Sequence, residues 1–115
     1  MMKSRYEIKE NICWIQYVED KTFEKAYDFI KTMEPLLEEK TLKGVVLDLR
    51  TVDMLNSSGI GLILELFKNI SEKKLIFVAI TNDYVQRTLG MIGVEGLMNM
   101  VESRSKALEL VRSEL

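Results

Sequence analysis

Val45-Val46-Leu47-Asp48-Leu49, then Arg50-Thr51-Val52-Asp53-Met54-Leu55-Asn56-Ser57-Ser58-Gly59-Ile60-Gly61, is the stretch that decides how this chain folds. Its first five residues are a short continuous apolar run, the pattern of a central strand covered on both faces. Asn56-Ser57-Ser58-Gly59 is a cluster of helix-capping residues, and the apolar segment Ile60 to Ile70 behind it reads as a helix.

Toward the N-terminus, Tyr6 to Glu10 alternates apolar and polar residues, and after Asn11 the run Ile12 to Val18 resumes the strand pattern. The two read as a β-hairpin or a bent strand pair. From Lys21, Phe23, Ala26, Tyr27, Ile30, Met33 and Leu37 recur at three- and four-residue steps, which winds them onto one helical face. Pro35 interrupts that pattern, so the helix kinks there or restarts with Pro35 near its first turn. Glu38 to Gly44 is a polar connection to the central strand.

Toward the C-terminus, Leu75 to Ile80 repeats the continuous strand signature, and Thr81-Asn82-Asp83 caps a helix running through Tyr84, Val85, Leu89 and Met91. Gly93 and Gly96 mark a turn before a short last strand, Leu97 to Val101. Ser103 caps a terminal helix whose apolar side is Ala107, Leu108 and Val111. The order is β-β-α-β-α-β-α-β-α, which predicts an α/β fold with a central mixed β-sheet covered by helices. Met91, Met98 and Met100 are expected to fill the core.

Composition narrows the chemistry. The 115 residues suit one domain, 1–115, with no internal repeat or linker. There is no histidine, which removes the usual general base and the commonest metal ligand. The one cysteine, Cys13, sits in the apolar run Ile12-Cys13-Trp14-Ile15 and reads as a buried thiol in a reducing cytoplasm. Sixteen Lys plus Arg stand against 18 Asp plus Glu, a net charge of -2 with both signs interspersed, so no basic stripe points to nucleic acid. The longest apolar run, Ile60 to Leu64 with Gly61 inside it, is far short of the roughly 20 residues of a membrane span. No catalytic residue, metal or cofactor is expected, and the chain does not read as an enzyme.

A helix start leaves backbone N–H groups unpaired and carries partial positive charge, so an anion or a serine oxygen is stabilised there. Of two adjacent serines, one can cap and the other keep a free hydroxyl; in the plainer reading both are ordinary caps. A phosphate-cradling loop fails for want of G-x-x-x-x-G-K-[ST], so Gly59 and Gly61 read as close-packing glycines. A serine nucleophile fails because G-x-S-x-G and an activating histidine are both missing. At about 100° per residue, Ile60, Ile63, Leu64, Phe67 and Ile70 share the core face of this helix. Leu62 and Leu66 fall to the side, as a partner-facing strip beside Ser57 or a flank covered by another helix. Glu24, Lys25, Asp28, Lys31 and Glu34 read as a solvated helix face.

Val45 to Leu49 followed by Leu55-Asn56-Ser57-Ser58-Gly59-Ile60-Gly61 resembles the signature of the STAS family, the anti-sigma factor antagonists. Val85-Gln86-Arg87-Thr88-Leu89 with Gly93-Val94, and Glu102-Ser103 with Lys106-Ala107-Leu108, resemble later segments of that family. The resemblance implies a STAS-like fold and partner switching: binding to an anti-sigma factor that is also a serine protein kinase, which phosphorylates Ser57 (alternatively Ser58), with a serine phosphatase reversing it. Partner contacts are expected through Asp20, Asn56, Ser58 and Gly59 of the resembling segments and through Leu62 and Leu66 of the side strip, in a cytoplasmic monomer or weak homodimer. Two departures stand out. Asn56 occupies the place of the family's aspartate, which removes a charge beside the hydroxyl. In Val18-Glu19-Asp20-Lys21-Thr22 the family's glycine is missing, and Asp20 is the nearest counterpart of its acidic residue. The alternative that Asn56 motivates is a STAS-like scaffold or sensor subunit that is never phosphorylated.

Overall fold

The computed structural model describes residues 5–18, 20–93 and 99–114. Among them the elements run β1 (Arg5–Lys9), β2 (Ile12–Gln16), α1 (Ala26–Leu37), β3 (Gly44–Asp48), α2 (Ser57–Glu72), β4 (Ile76–Ile80), α3 (Asp83–Met91), β5 (Asn99–Val101) and α4 (Arg104–Glu114). This is the predicted α/β order, with β3 at the middle of a five-stranded sheet ordered β1-β2-β3-β4-β5.

β1 and β2 form an antiparallel hairpin closed by Glu10 (φ 56°) and Asn11 (φ 66°). Two successive left-handed residues match the twist of the flanking strands, which is why this two-residue turn fixes the register Lys9↔Ile12. The other strand pairs are parallel. Strand alternation splits the core into two layers. Cys13, Ile15, Val45, Leu47, Phe77 and Ala79 face one side, against Ile30 and Met33 of α1, Ile63 and Ile70 of α2, and Val85 and Leu89 of α3. Ile12, Trp14, Val46, Val78 and Ile80 face the other, against Ala107 and Val111 of α4, with Leu108 and Leu110 of the same helix packed at the edge. Three right-handed crossovers stepping one way across the sheet put three helices on one face, leaving the opposite face to α4.

Several expectations need correcting. α1 begins at Ala26, not Lys21; residues 21–25 are turns, with Phe23 fully buried at φ 65°. Tyr27, expected on the core face, is 55% exposed because the buried stripe is Ala26, Ile30, Met33 and Leu37. Pro35 lies in the last turn of α1, where its missing N–H forfeits one late hydrogen bond without restarting the helix. Met91 is 87% exposed instead of filling the core, Met100 is half-buried against it, and Gly96, Leu97 and Met98 lie outside the described residues.

α2 also turns differently from expectation. Its buried line is Gly59, Ile63, Leu66 and Ile70, while Ile60, Leu62, Leu64 and Phe67 are half-buried at its edges. α1 packs beside α2 and widens the covered stripe toward Leu66. Leu66, with 2% exposure, therefore belongs to the core and not to a partner-facing strip.

Candidate functional site

The loop from β3 to α2 is fixed from both sides before it reaches Ser57. Leu49, Val52 and Leu55 are buried and anchor it in the core. The Asn82 side chain, itself the cap of α3, donates to the Val52 and Arg50 carbonyls at 2.6 and 3.1 Å. The Tyr84 hydroxyl accepts from the Leu55 N–H at 3.0 Å, and the N–H groups of Asp53 and Met54 donate to the Lys21 carbonyl at 2.8 and 3.2 Å. A loop tied this densely presents the start of α2 in one orientation.

At that start the cap is Asn56, in extended conformation, whose Oδ1 accepts from the Gly59 N–H at 3.0 Å. Neither serine caps, contrary to the sequence expectation, because the helix begins one residue earlier than a serine cap requires. Ser57 and Ser58 occupy its first two positions, both exposed, and neither hydroxyl hydrogen-bonds to another described residue.

The carboxylate absent at position 56 is supplied from elsewhere. Asn56 Nδ2 donates to Glu24, whose other oxygen accepts from Thr22 Oγ1 at 3.0 Å. Glu24 thus lies in the exposed turn before α1, bonded to the side chain of the residue preceding Ser57, rather than on a helix face. Local pattern carried no signal for it, since the contact joins residues 32 apart in sequence. Met54, 61% exposed beside the same helix start, is a second residue that sequence reasoning passed over.

Asp20 works inward. Its Oδ2 accepts from the Tyr17 hydroxyl at 2.5 Å and the Lys25 N–H at 2.9 Å, and its Oδ1 from the Thr22 N–H at 2.6 Å and hydroxyl at 2.9 Å. Partial burial alone would push this carboxyl up, but the hydrogen bonds from Tyr17, Thr22 and Lys25 outweigh it and hold the pKa at about 2. All four donors favour the ionised form, so Asp20 staples the loop into α1 and is not a free anion for a partner. Its folded pKa lies below the ordinary value of 3.8, so the linked stability is present above that value and is lost as pH falls through about 2. Solvent screening of this half-exposed group reduces the linked term to about 1 kcal/mol. Urea denaturation of wild type and Asp20→Asn between these two pH values is expected to show a steeper fall in the wild type, by about that amount.

Gly59 likewise works inward. A Cβ placed there would lie 2.4 Å from the Thr22 carbonyl oxygen and 3.5 Å from Phe23 Cβ. The residue is buried because the β2–α1 loop lies directly on it. Gly61 differs from expectation: a Cβ there meets nothing within 4 Å, so close packing does not explain it. The exposed surface at this end of α2 thus reduces to Met54, Asn56, Ser57, Ser58 and Gly61, with Leu62 half-buried at its margin.

Elsewhere the chemistry is sparse. Burial pushes the Cys13 thiol up to about 11, which keeps it protonated and inert. Among the described residues, no group of three or more His, Cys, Asp or Glu is placed to hold a metal ion, and no helix is long and apolar enough to cross a membrane.

A five-stranded mixed sheet with three helices on one face, one on the other, and a helix start displaying two unclaimed hydroxyls defines the STAS class of α/β domain. The chain belongs to the STAS domain family, whose model matches residues 3–107. No curated protein sequence matches it. Solved structures of the same fold include a candidate anti-sigma factor antagonist from Thermotoga maritima, 23% identical over 95% of this chain and 94% of that one, with a TM-score of 0.79. A serine-to-glutamate variant of RsbS from Moorella thermoacetica is 16% identical over 97% of each chain, with a TM-score of 0.81. The Bacillus cell fate determinant SpoIIAA in its phosphorylated form is 11% identical over 95% of this chain and 99% of that one, with a TM-score of 0.70. At these identities the likeness is one of fold.

Proposed function

We propose that residues 1–115 act as one STAS domain, a cytoplasmic anti-sigma factor antagonist working by partner switching, with Ser57 as phosphoacceptor for a serine kinase that is also the anti-sigma factor. A serine phosphatase restores the binding form, and the chain acts as a monomer or weak homodimer. The observation that carries this reading is the Ser57 hydroxyl, exposed at the first position of α2 with the capping role already taken by Asn56. A phosphate there adds about -1.5 to -2 charge at the helix end that best tolerates it, so the fold survives the modification. The new charge falls on the residue next to Asn56, whose side chain holds the Glu24 carboxylate, so a partner packed on Met54, Asn56, Ser58 and Leu62 meets added negative charge and is released. Asp20, Gly59 and Leu66 support this surface from beneath.

Incubation with the cognate kinase and ATP, followed by mass spectrometry, is expected to add one phosphate to the wild type and none to Ser57→Ala. Transfer of the phosphate to Ser58, or no phosphate in the wild type, counts against the assignment. A second reading, the scaffold or sensor subunit that is never phosphorylated, is favoured by the amide at Asn56. Asn56→Asp separates the two: it keeps the cap, and a large gain of phosphate over an unreactive wild type identifies an acceptor silenced by the missing carboxylate.

A further inference from the structure

The face of the sheet that carries α4 is incompletely covered. An eleven-residue helix packs on β3, β4 and β5 and leaves exposed the amino end of β1 and the carboxyl end of β2, which the antiparallel pairing places side by side. There the register aligns Arg5, Gln16 and Asp48 across three neighbouring strands. A groove of about 340 Å³ opens over this row, with Trp14 in its floor and Arg50 and Arg104 at its walls. That volume lies in the range of small-molecule sites, and the carboxyl ends of parallel strands are where open α/β sheets commonly hold ligands.

The three guanidinium groups are not equivalent. Arg50 is held by Asp48 through two bonds, Nε to Oδ1 at 3.1 Å and Nη2 to Oδ2 at 2.8 Å. Arg104 lies over the Trp14 ring at 4.4 Å from its centroid and donates to Glu7 at 2.7 Å. A guanidinium stacked on an aromatic face keeps its remaining in-plane N–H groups directed outward, already oriented for an oxyanion. Arg5 has no ion-pair partner among the described residues. Three cations against the two carboxylates of Glu7 and Asp48 leave one uncompensated positive charge in the groove, in a chain whose net charge is -2.

We propose that this groove binds a small organic oxyanion, a phosphate ester or carboxylate, with Arg5 and Arg104 holding the charged head and the amide of Gln16 hydrogen-bonding beside it. The site lies on the opposite side of the sheet from Ser57 and does not depend on phosphorylation.

The test is an NMR titration of the full chain with phenyl phosphate, with benzoate, and with phenol as the neutral control. Trp14 is the one tryptophan, so its indole N–H reports the groove unambiguously. Both oxyanions, or one of them, are expected to shift the resonances of Trp14, the Gln16 amide and Arg104 Nε, which identifies the preferred head group. Phenol is expected to leave them in place. Arg5→Gln and Arg104→Gln are each expected to weaken binding about tenfold, the loss of one charge-assisted hydrogen bond. Arg5→Gln changes an exposed edge-strand side chain and leaves the backbone pairing intact, so its loss of binding is not a loss of fold. The proposal is overturned by absence of shifts up to about 20 mM oxyanion, by equal shifts with phenol, by shifts centred on the start of α2, or by unchanged affinity in both variants.

Discussion

Gly59→Ala is expected to destabilise the protein by about 3 kcal/mol, while Gly61→Ala, two residues on in the same helix, is expected to stabilise it by about 1 kcal/mol. Both changes bring the same gain in helix propensity, and the difference lies in what the new methyl meets. At Gly59 it would stand 2.4 Å from the Thr22 carbonyl oxygen. That obstacle is backbone, and Asp20 pins it in place through Thr22 and Lys25, so the loop cannot yield without breaking its own hydrogen bonds. The cost therefore falls at the upper end of overpacking penalties. At Gly61 the methyl enters open space and only the unfolded chain's freedom is reduced. Urea denaturation of the two variants reads both values. Equal stability of Gly59→Ala and wild type would show that the loop does not press on α2.

Phe23→Ala is expected to cost about 3 to 5 kcal/mol, the usual range for deleting a buried aromatic ring. Phe23 is fully buried, its ring centroid 4.5 Å from that of Tyr17, which in turn meets Phe29 edge-on at 5.5 Å. The residue reaches this place only by adopting φ 65°, a conformation costing a non-glycine residue roughly 1 to 2 kcal/mol. Burial of the ring offsets that strain; an alanine would keep the strain and lose the ring. Phe23→Leu, which retains most of the apolar volume, is expected to cost clearly less. A loss below about 1 kcal/mol for Phe23→Ala in thermal or urea unfolding would mean that the ring does not hold the β2–α1 loop against the start of α2.

These expectations concern one assembly: a loop preceding α1, stapled by Asp20 and wedged by Phe23, lying on Gly59 and passing Glu24 to Asn56. The assembly explains why the site residues inferred from sequence divide into two groups. Ser57, Ser58 and Asn56 are exposed at the helix start, whereas Asp20, Gly59 and Leu66 are absorbed by the support beneath it. It also gives the Asn56 departure a physical content. The amide at position 56 holds the Glu24 carboxylate by a hydrogen bond, although no carboxylate is adjacent to Ser57 in sequence.

The order of elements, the central place of β3 and a helix start within Asn56 to Gly59 were legible in the chain itself, because apolar period and capping residues are local properties. Asn82 and Ser103 were legible as caps for the same reason: each accepts from an N–H three residues on, Val85 at 2.8 Å and Lys106 at 3.2 Å. The exposure of Tyr27 and Met91 was not, since an apolar side chain's position on a helix does not say how much of that face its neighbours cover. Nor was the choice of Asn56 over the serines as cap, which turns on a single residue's shift in where the helix begins.

The sequence by itself therefore determined the fold class and the presence of serines at the start of α2. Only the tertiary structure decided which residues reach solvent there, that Glu24 joins them from 32 residues away, and that three arginines from β1, the β3 end and α4 surround one groove. The physical reason is range: propensity and periodicity act within a few turns of chain, whereas burial and charge proximity depend on which segments the sheet register brings together.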